Sequence, residues 1–297
     1  MPNQTGATVL ASALKQAGVE TLFNLSGNQI MPLYSPLVDA GVRLIHTRHE
    51  ASAVHMADAG ARLTERPCPA LVTAGPGHTN ALTATYLAWL AESPVVLLSG
   101  HAELANQGLG AFQEMDQVGL ARRVAKAAWL ATDPARLGDD LARAYRLAAS
   151  GRPGPVHISL PADVLRANAP DPPPVPAASA FEPRPRRPTG QQTAALLDLI
   201  GAARRPLLLA GPAMARGRRW AAVKSLADAL GAPALPIESP RGANDPSLGA
   251  VRTVFPRADL VVLLGRRVDF SLGFGRQPLF SPEVRFVAVG AGLARDD

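Results

Sequence analysis

Apolar residues recur at helical spacing over residues 5–18, then give way to a short apolar run over 19–25, and the exchange of periods repeats as far as Leu160. The pattern predicts further strands over 42–46, 70–73, 95–99 and 156–160, with helices over 51–63, 79–91 and 134–150 between them. Alternating strand and helix implies a mainly parallel sheet covered on both faces.

From Ala167 to Pro188 the chain is so rich in proline that both helix and central strand are denied, leaving an extended, semi-rigid linker. The alternation then restarts, with helices over 191–203 and 217–230 and strands over 207–210, 259–264 and 284–289. The expected fold is α/β: two doubly wound, mainly parallel open-sheet domains, 1–166 and 189–297, joined by the proline-rich linker 167–188.

Composition narrows the partners. With 297 residues, 47% of them hydrophobic, the chain can build two ordinary cores. The formal charge of +6 would suit nucleic acid, but the basic residues are scattered arginines with only Lys15, Lys126 and Lys224 as lysines, and no basic stripe interleaved with aromatics occurs. A single cysteine, Cys68, allows no internal disulfide and no thiolate metal cluster, which points to a reducing compartment. The most apolar stretch, 81–98, is interrupted by Glu92-Ser93-Pro94, and no basic segment precedes an apolar leader. A soluble, cytoplasmic protein without nucleic-acid or membrane partners is expected.

Two stretches carry candidate chemistry. Glu50 closely follows the apolar run 42–45, where open α/β sheets put their ligands, although a carboxylate in a helix's first turn also favours the helix dipole by a few tenths of a kcal/mol. Residues 73–80 read as strand, turn and helix, with Gly75 and Gly77 freeing the backbone to approach a ring or an anion, or forming no more than a tight turn. His49, His55 and His78 are not spaced as metal ligands.

Five blocks in order, S-G-N-Q-I-M-P-L-Y (26–34), R-H-E-A-S-A (48–53), T-A-G-P-G-H-T-N (73–80), G-A-F-Q-E-M-D-Q-V (110–118) and G-R-P-G-P-V-H-I-S-L-P-A-D-V (151–164), resemble the pyrimidine-binding domain of thiamine diphosphate enzymes of the acetolactate synthase type. The second domain, 189–297, resembles that family's central domain, which in some members holds FAD or a CoA nucleotide; residues 211–219 are the stretch that could receive one. The family's third domain holds magnesium and the cofactor diphosphate through G-D-G and a later Asn, oxygen ligands for a hard cation. No G-D-G occurs here, and Gly138-Asp139-Asp140 reads instead as a helix N-cap. The expectation is a fragment, a split subunit or a degenerate relative, without activity unless a diphosphate-binding domain joins it.

The resemblance implies roles residue by residue. Thiamine catalysis removes the thiazolium C2 proton with the cofactor's own amino group, which requires the opposite ring nitrogen to be protonated or strongly hydrogen-bonded; a carboxylic acid in an apolar pocket suits this, and Glu50 matches that position. Thr73, Pro76, Gly77 and Asn80 would line the aminopyrimidine pocket, with Gly27 and Asn28 as the other wall, although the family more often has Pro-Gly-Gly where this chain has Ser26-Gly27-Asn28. Phe112 and Gln113 match a pair beside the reacting carbon, giving Gln113 catalytic, cofactor and substrate contacts, and Lys126 matches a lysine near the substrate, with a solvated strand end as its bland alternative.

The activity implied is a carboligase or decarboxylase of 2-oxo acids. Lys126-Ala127-Ala128-Trp129 and Arg267-Val268-Asp269-Phe270 resemble 2-hydroxyacyl-CoA lyases and oxalyl-CoA decarboxylases more, which keeps acyl-CoA substrates open. A third reading is an inactive binding or regulatory remnant. Family architecture implies a homodimer, or a partner chain carrying the diphosphate-binding domain.

Overall fold

The computed structural model describes residues 4–169, 174–184, 187–239 and 241–290. Contacts divide the chain into two units, Met1–Arg184 and Pro185–Asp297.

In the first unit the elements run α1 (Gly6–Gln16), β1 (Thr21–Asn24), α2 (Tyr34–Asp39), β2 (Arg43–His46), α3 (Glu50–Thr64), β3 (Cys68–Val72), α4 (Pro76–Leu90), β4 (Val95–His101), α5 (Gln117–Ala121), β5 (Ala127–Leu130), α6 (Leu137–Ala149), β6 (Val156–Pro161) and α7 (Ala162–Arg166). The sheet is six-stranded, in the order β2-β1-β3-β4-β6-β5, and every pairing is parallel. β4 and β6 are buried along their whole length, which is why β4 opens on the apolar run Val95 to Leu98, whereas β6 alternates Val156, Ile158 and Leu160 with the buried His157 and Ser159. One face carries α1 and α6, whose Leu10, Leu14, Leu141 and Tyr145 join the larger core. The other carries α3 and α4, which meet through Ala53, Ala57, Ala81, Ala84 and Ala88, small side chains that let two helices lie close on a sheet.

The second unit contains α8 (Gly190–Ala202), β7 (Pro206–Ala210), α9 (Gly217–Leu230), β8 (Ala234–Pro236), β9 (Leu260–Leu264) and β10 (Arg285–Val289), besides several 3-10 turns. Its sheet, in the order β10-β9-β7-β8, is also parallel. Both units are therefore open parallel α/β sheets, the architecture predicted by the alternation of periods.

The structure differs from the sequence reading in several places. Helix α4 begins at Pro76 rather than at 79, because a proline in the first turn lacks only an N–H that the helix would leave unpaired and already has helical φ. Strands β5 and β8 were not expected; both are short and lie at sheet edges. Gly138 to Asp140 form the first turn of α6 and not its cap; Asp133 caps the preceding 3-10 turn by accepting from the Ala135 N–H, and Asp140 accepts from the Trp129 indole N–H. The proline-rich stretch also returns to the first unit: Phe181 is buried there, its ring edge-on to Tyr145 at 5.7 Å. Among the described residues no helix is long and apolar enough to cross a membrane.

Candidate functional site

In the strand order β2-β1-β3, the chain leaves β1 toward one side and returns for β3 on the other, so a topological switch point lies between β1 and β3. Loops leaving the carboxyl ends of the strands at such a point enclose a crevice where ligands bind. Gly27 follows β1, Glu50 follows β2, and Gly75 to Gly77 follow β3, so three of the five sequence blocks converge there.

Glu50 opens α3. Its helix is capped by His49, whose Nδ1 accepts from the Ala51 N–H at 3.1 Å, and the entry strand is pinned by Thr47, whose Oγ1 donates to the Asn24 carbonyl at 3.2 Å. Glu50 as a residue is only 8% exposed, although an ordinary first-turn glutamate stands in water. Asn80 Nδ2, one turn into α4, donates to Glu50 Oε2 at 3.0 Å. Glu50 Oε1 takes no hydrogen-bond donor among the described residues and faces Gly77, where an added Cβ would stand 3.3 Å away.

The opposing wall is built from Gly27 and Thr73. Thr73 Oγ1 donates to Gln29 Oε1 at 2.7 Å, which holds the 3-10 turn Asn28–Leu33 beside the end of β3. A Cβ at Gly27 would come within 2.4 Å of Thr73, and one at Gly77 within 2.7 Å of the Thr73 methyl, so Thr73 packs this closely against both positions only because they are glycine. Pro76 and Asn28 are exposed at its rim.

Phe112 and Gln113 lie on the loop before α5. Phe112 is 71% exposed and, with Asn28, Gln29, Glu103, Asn106 and Arg166, borders a cavity of about 250 Å³. Gln113 has φ +61° and contacts the turn after β3: a Cβ at Gly75 would stand 2.8 Å from the Gln113 Cβ. Glu114 holds this loop by accepting from the backbone N–H groups of Gly108 and Ala111, bonds that depress its pKa. The structure thus brings Gly27, Asn28, Glu50, Thr73, Pro76, Gly77, Asn80, Phe112 and Gln113 to one edge of the sheet.

Lys126 is not among them. It precedes β5, so it lies at the amino ends of parallel strands, opposite the cleft, and its ammonium donates to the Leu147 and Ser150 carbonyls at the end of α6. Two glutamines were not anticipated: Gln29, and Gln117 at the start of α5, whose side chain is fully buried and bonded to the Gly75 N–H. Beneath the turn, His78 and His157 are both fully buried with ring centroids 4.6 Å apart, and burial lowers the pKa of His78 to about 4 and holds that of His157 well below its ordinary value.

In the second unit, the segment considered for a nucleotide leaves the carboxyl end of β7 and leads into α9. There Gly211 approaches the Gly265 carbonyl so closely that a Cβ would stand 2.6 Å from it. Arg266, buried beside them, donates to the Ile237 carbonyl at 2.8 Å and to the Ser271 hydroxyl.

Residues 4–120 match the family described as thiamine pyrophosphate enzyme, N-terminal TPP binding domain. The chain is 34% identical over 302 residues to an acetolactate synthase large subunit of Parasynechococcus marenigrum, an alignment covering 95% of this chain and 49% of that protein. It is 35% identical to 2-hydroxyacyl-CoA lyase 2 of Bos taurus, covering 91% and 49%, and 31% identical to oxalyl-CoA decarboxylase of Escherichia coli K12, covering 92% and 50%. The chain spans about half the length of the relatives it matches.

Proposed function

Because this chain belongs to the thiamine diphosphate-dependent enzymes, we propose that the cleft at the switch point takes the aminopyrimidine of thiamine diphosphate and that Glu50 is its activating acid. The observation that carries the reading is the state of the Glu50 carboxyl: buried, oriented through Oε2 by Asn80, and with Oε1 taking no donor among the described residues and facing the glycine backbone at Gly77. The residues fit the group. A flat heteroaromatic ring needs a slot without side chains, which Gly27 and Gly77 supply, and a polar edge at one end, which Glu50 supplies.

When bound, the cofactor supplies a carbon nucleophile at its thiazolium C2. Glu50 would hold a proton at the pyrimidine ring nitrogen, and Asn80 would keep the carboxyl in the ring plane. Thr73, fixed by Gln29, would bound the ring on the opposite side. Phe112 and Gln113 would meet the substrate, with Gln113 donating from its amide to a substrate carbonyl or carboxylate. The magnesium and diphosphate would be held by a further domain facing the same sheet edge, in this polypeptide or another, in a homo-oligomer or a complex.

The substrates proposed are 2-oxo acids, in carboligation or decarboxylation of the acetolactate synthase kind. A second reading, action on an acyl-CoA, is supported by the relatives named for that chemistry and by the close backbone approach of Gly211 to Gly265, which leaves a surface without side chains where a nucleotide, of CoA or FAD, could lie. The test is titration of the complete protein with thiamine diphosphate and magnesium, followed by assays with pyruvate and with oxalyl-CoA. Saturable, magnesium-dependent binding is expected. No binding would overturn the reading, and turnover of oxalyl-CoA alone would favour the second.

A further inference from the structure

We propose that Gln117 is a positioning residue that locks the cofactor-side turn to the substrate-side loop, an inference that rests on the cleft reading above. A primary amide has one oxygen that accepts and two N–H groups that donate. Gln117 uses both ends, with no exposed surface: Oε1 accepts from the Gly75 N–H at 2.9 Å, while Nε2 donates to the Gly100 carbonyl at 2.9 Å and lies 3.2 Å from the Ser159 hydroxyl. One side chain therefore ties the turn after β3 to the end of β4 and to β6.

Gly75 precedes the first residue of α4, so its N–H has no partner inside that helix and points into the protein. Without Gln117 it would be a buried, unpaired donor. Gly75 also has φ +57° and touches Gln113, four residues before Gln117 in the chain. Turn and loop thus share one anchor. Two residues beyond Gly75 stands Gly77, which faces Glu50 Oε1, so any slackening of the turn changes the width of the slot in which the ring would lie.

An apolar replacement of similar length keeps the packing and removes both kinds of bond. A glutamate keeps the acceptor but, when ionised, has no proton for the Gly100 carbonyl; once protonated it regains one donor. Burial favours that protonated form. The two variants therefore separate a bonding role from a packing role.

The experiment titrates the complete protein and its Gln117→Met and Gln117→Glu variants with thiamine diphosphate and magnesium at several pH values, and follows amide hydrogen exchange across residues 74–80. Gln117→Met should weaken cofactor binding about tenfold or more and speed exchange at Gly75. For Gln117→Glu, the ratio of its Kd to that of the parent should fall as the pH is lowered from 8 to 6. A residue that only stabilised the fold would lower the melting temperature without moving the Kd of folded protein or its pH dependence. If the parent binds cofactor and both variants bind equally well at every pH, with Gly75 exchange unchanged, the role of Gln117 is overturned. If the parent itself does not bind, the cleft reading is what fails, and the Gly75 exchange then decides whether the tie exists. Should Gln117→Met not fold, Gln117→Glu carries the same test through its pH dependence.

Discussion

Asn80 donates to Glu50 across 3.0 Å, joining the first residue of α3 to the second turn of α4 from either side of the switch point. The bond uses Oε2, so whatever approaches Glu50 from the cleft meets Oε1.

Replacing Glu50 by Gln keeps the shape and a hydrogen-bonding group but removes the ionisable proton. Hydrogen–deuterium exchange at the cofactor's C2, followed by NMR in the complete protein, should slow by ~10² to ~10⁴-fold, with folding preserved. Exchange as fast as in the parent would return Glu50 to being a helix-start carboxylate. Gln113→Ala should leave that exchange nearly unchanged and alter substrate preference instead.

Gly77→Ala adds one methyl where 2.7 Å separates an ideal Cβ from the Thr73 methyl. Cofactor affinity should drop at least about tenfold, the order expected when one close-packed contact worth ~1.4 kcal/mol is disrupted. Circular dichroism should still report a folded chain. Undiminished affinity would show that the slot lies elsewhere.

Acid should weaken the first unit before its carboxylates titrate. His78 has its pKa lowered to about 4 by burial, and neighbouring His157 lies well below the ordinary value for the same reason. The unfolded chain takes up these protons near pH 6.5 while the folded one refuses them, so stability is lost progressively as the pH falls from about 6.5 toward 4. For His78 alone the loss approaches ~3 kcal/mol. Thermal melts at pH 7.5, 6 and 5 would reveal it, and a flat melting temperature would contradict it.

At the opposite edge of the sheet, Arg152 Nε donates to the buried Glu92 carboxylate at 2.9 Å. Arg152→Met removes a cationic partner from a buried carboxylate, and urea unfolding should show a lower stability than the parent's. Cofactor affinity of the folded variant should match the parent, because the pair lies at the strand ends remote from the cleft.

Much of the architecture was legible because it rests on local pattern. Val95 to Leu98 is a continuous apolar run, as a strand buried on both faces demands, while Val156 to Leu160 alternates apolar residues with His157 and Ser159, the period of a strand. β8 escaped because three residues ending in proline carry no period. The turn at Gly75 to Gly77 was read as preceding a helix that in fact it begins. Gln29 and Gln117 could not be recognised as parts of the cleft, since each takes its meaning from a partner more than 40 residues away in the chain, Thr73 and Gly75. The position of Lys126 was hidden for a related reason: only once β5 is seen to begin at Ala127 does the parallel sheet put the residue before it at the far edge.

Gly27, Gly75 and Gly77 give the cleft its shape through what they lack, since each would drive a methyl group into Thr73 or Gln113. Alanine scanning therefore reads in reverse at these three positions. Elsewhere in the site the scan subtracts a group and asks what it contributed; here it inserts an obstacle and asks how much clearance the ligand needs. A graded series at one such position, from Gly to Ala to Ser, becomes a feeler gauge for how far Thr73 or Gln113 can yield.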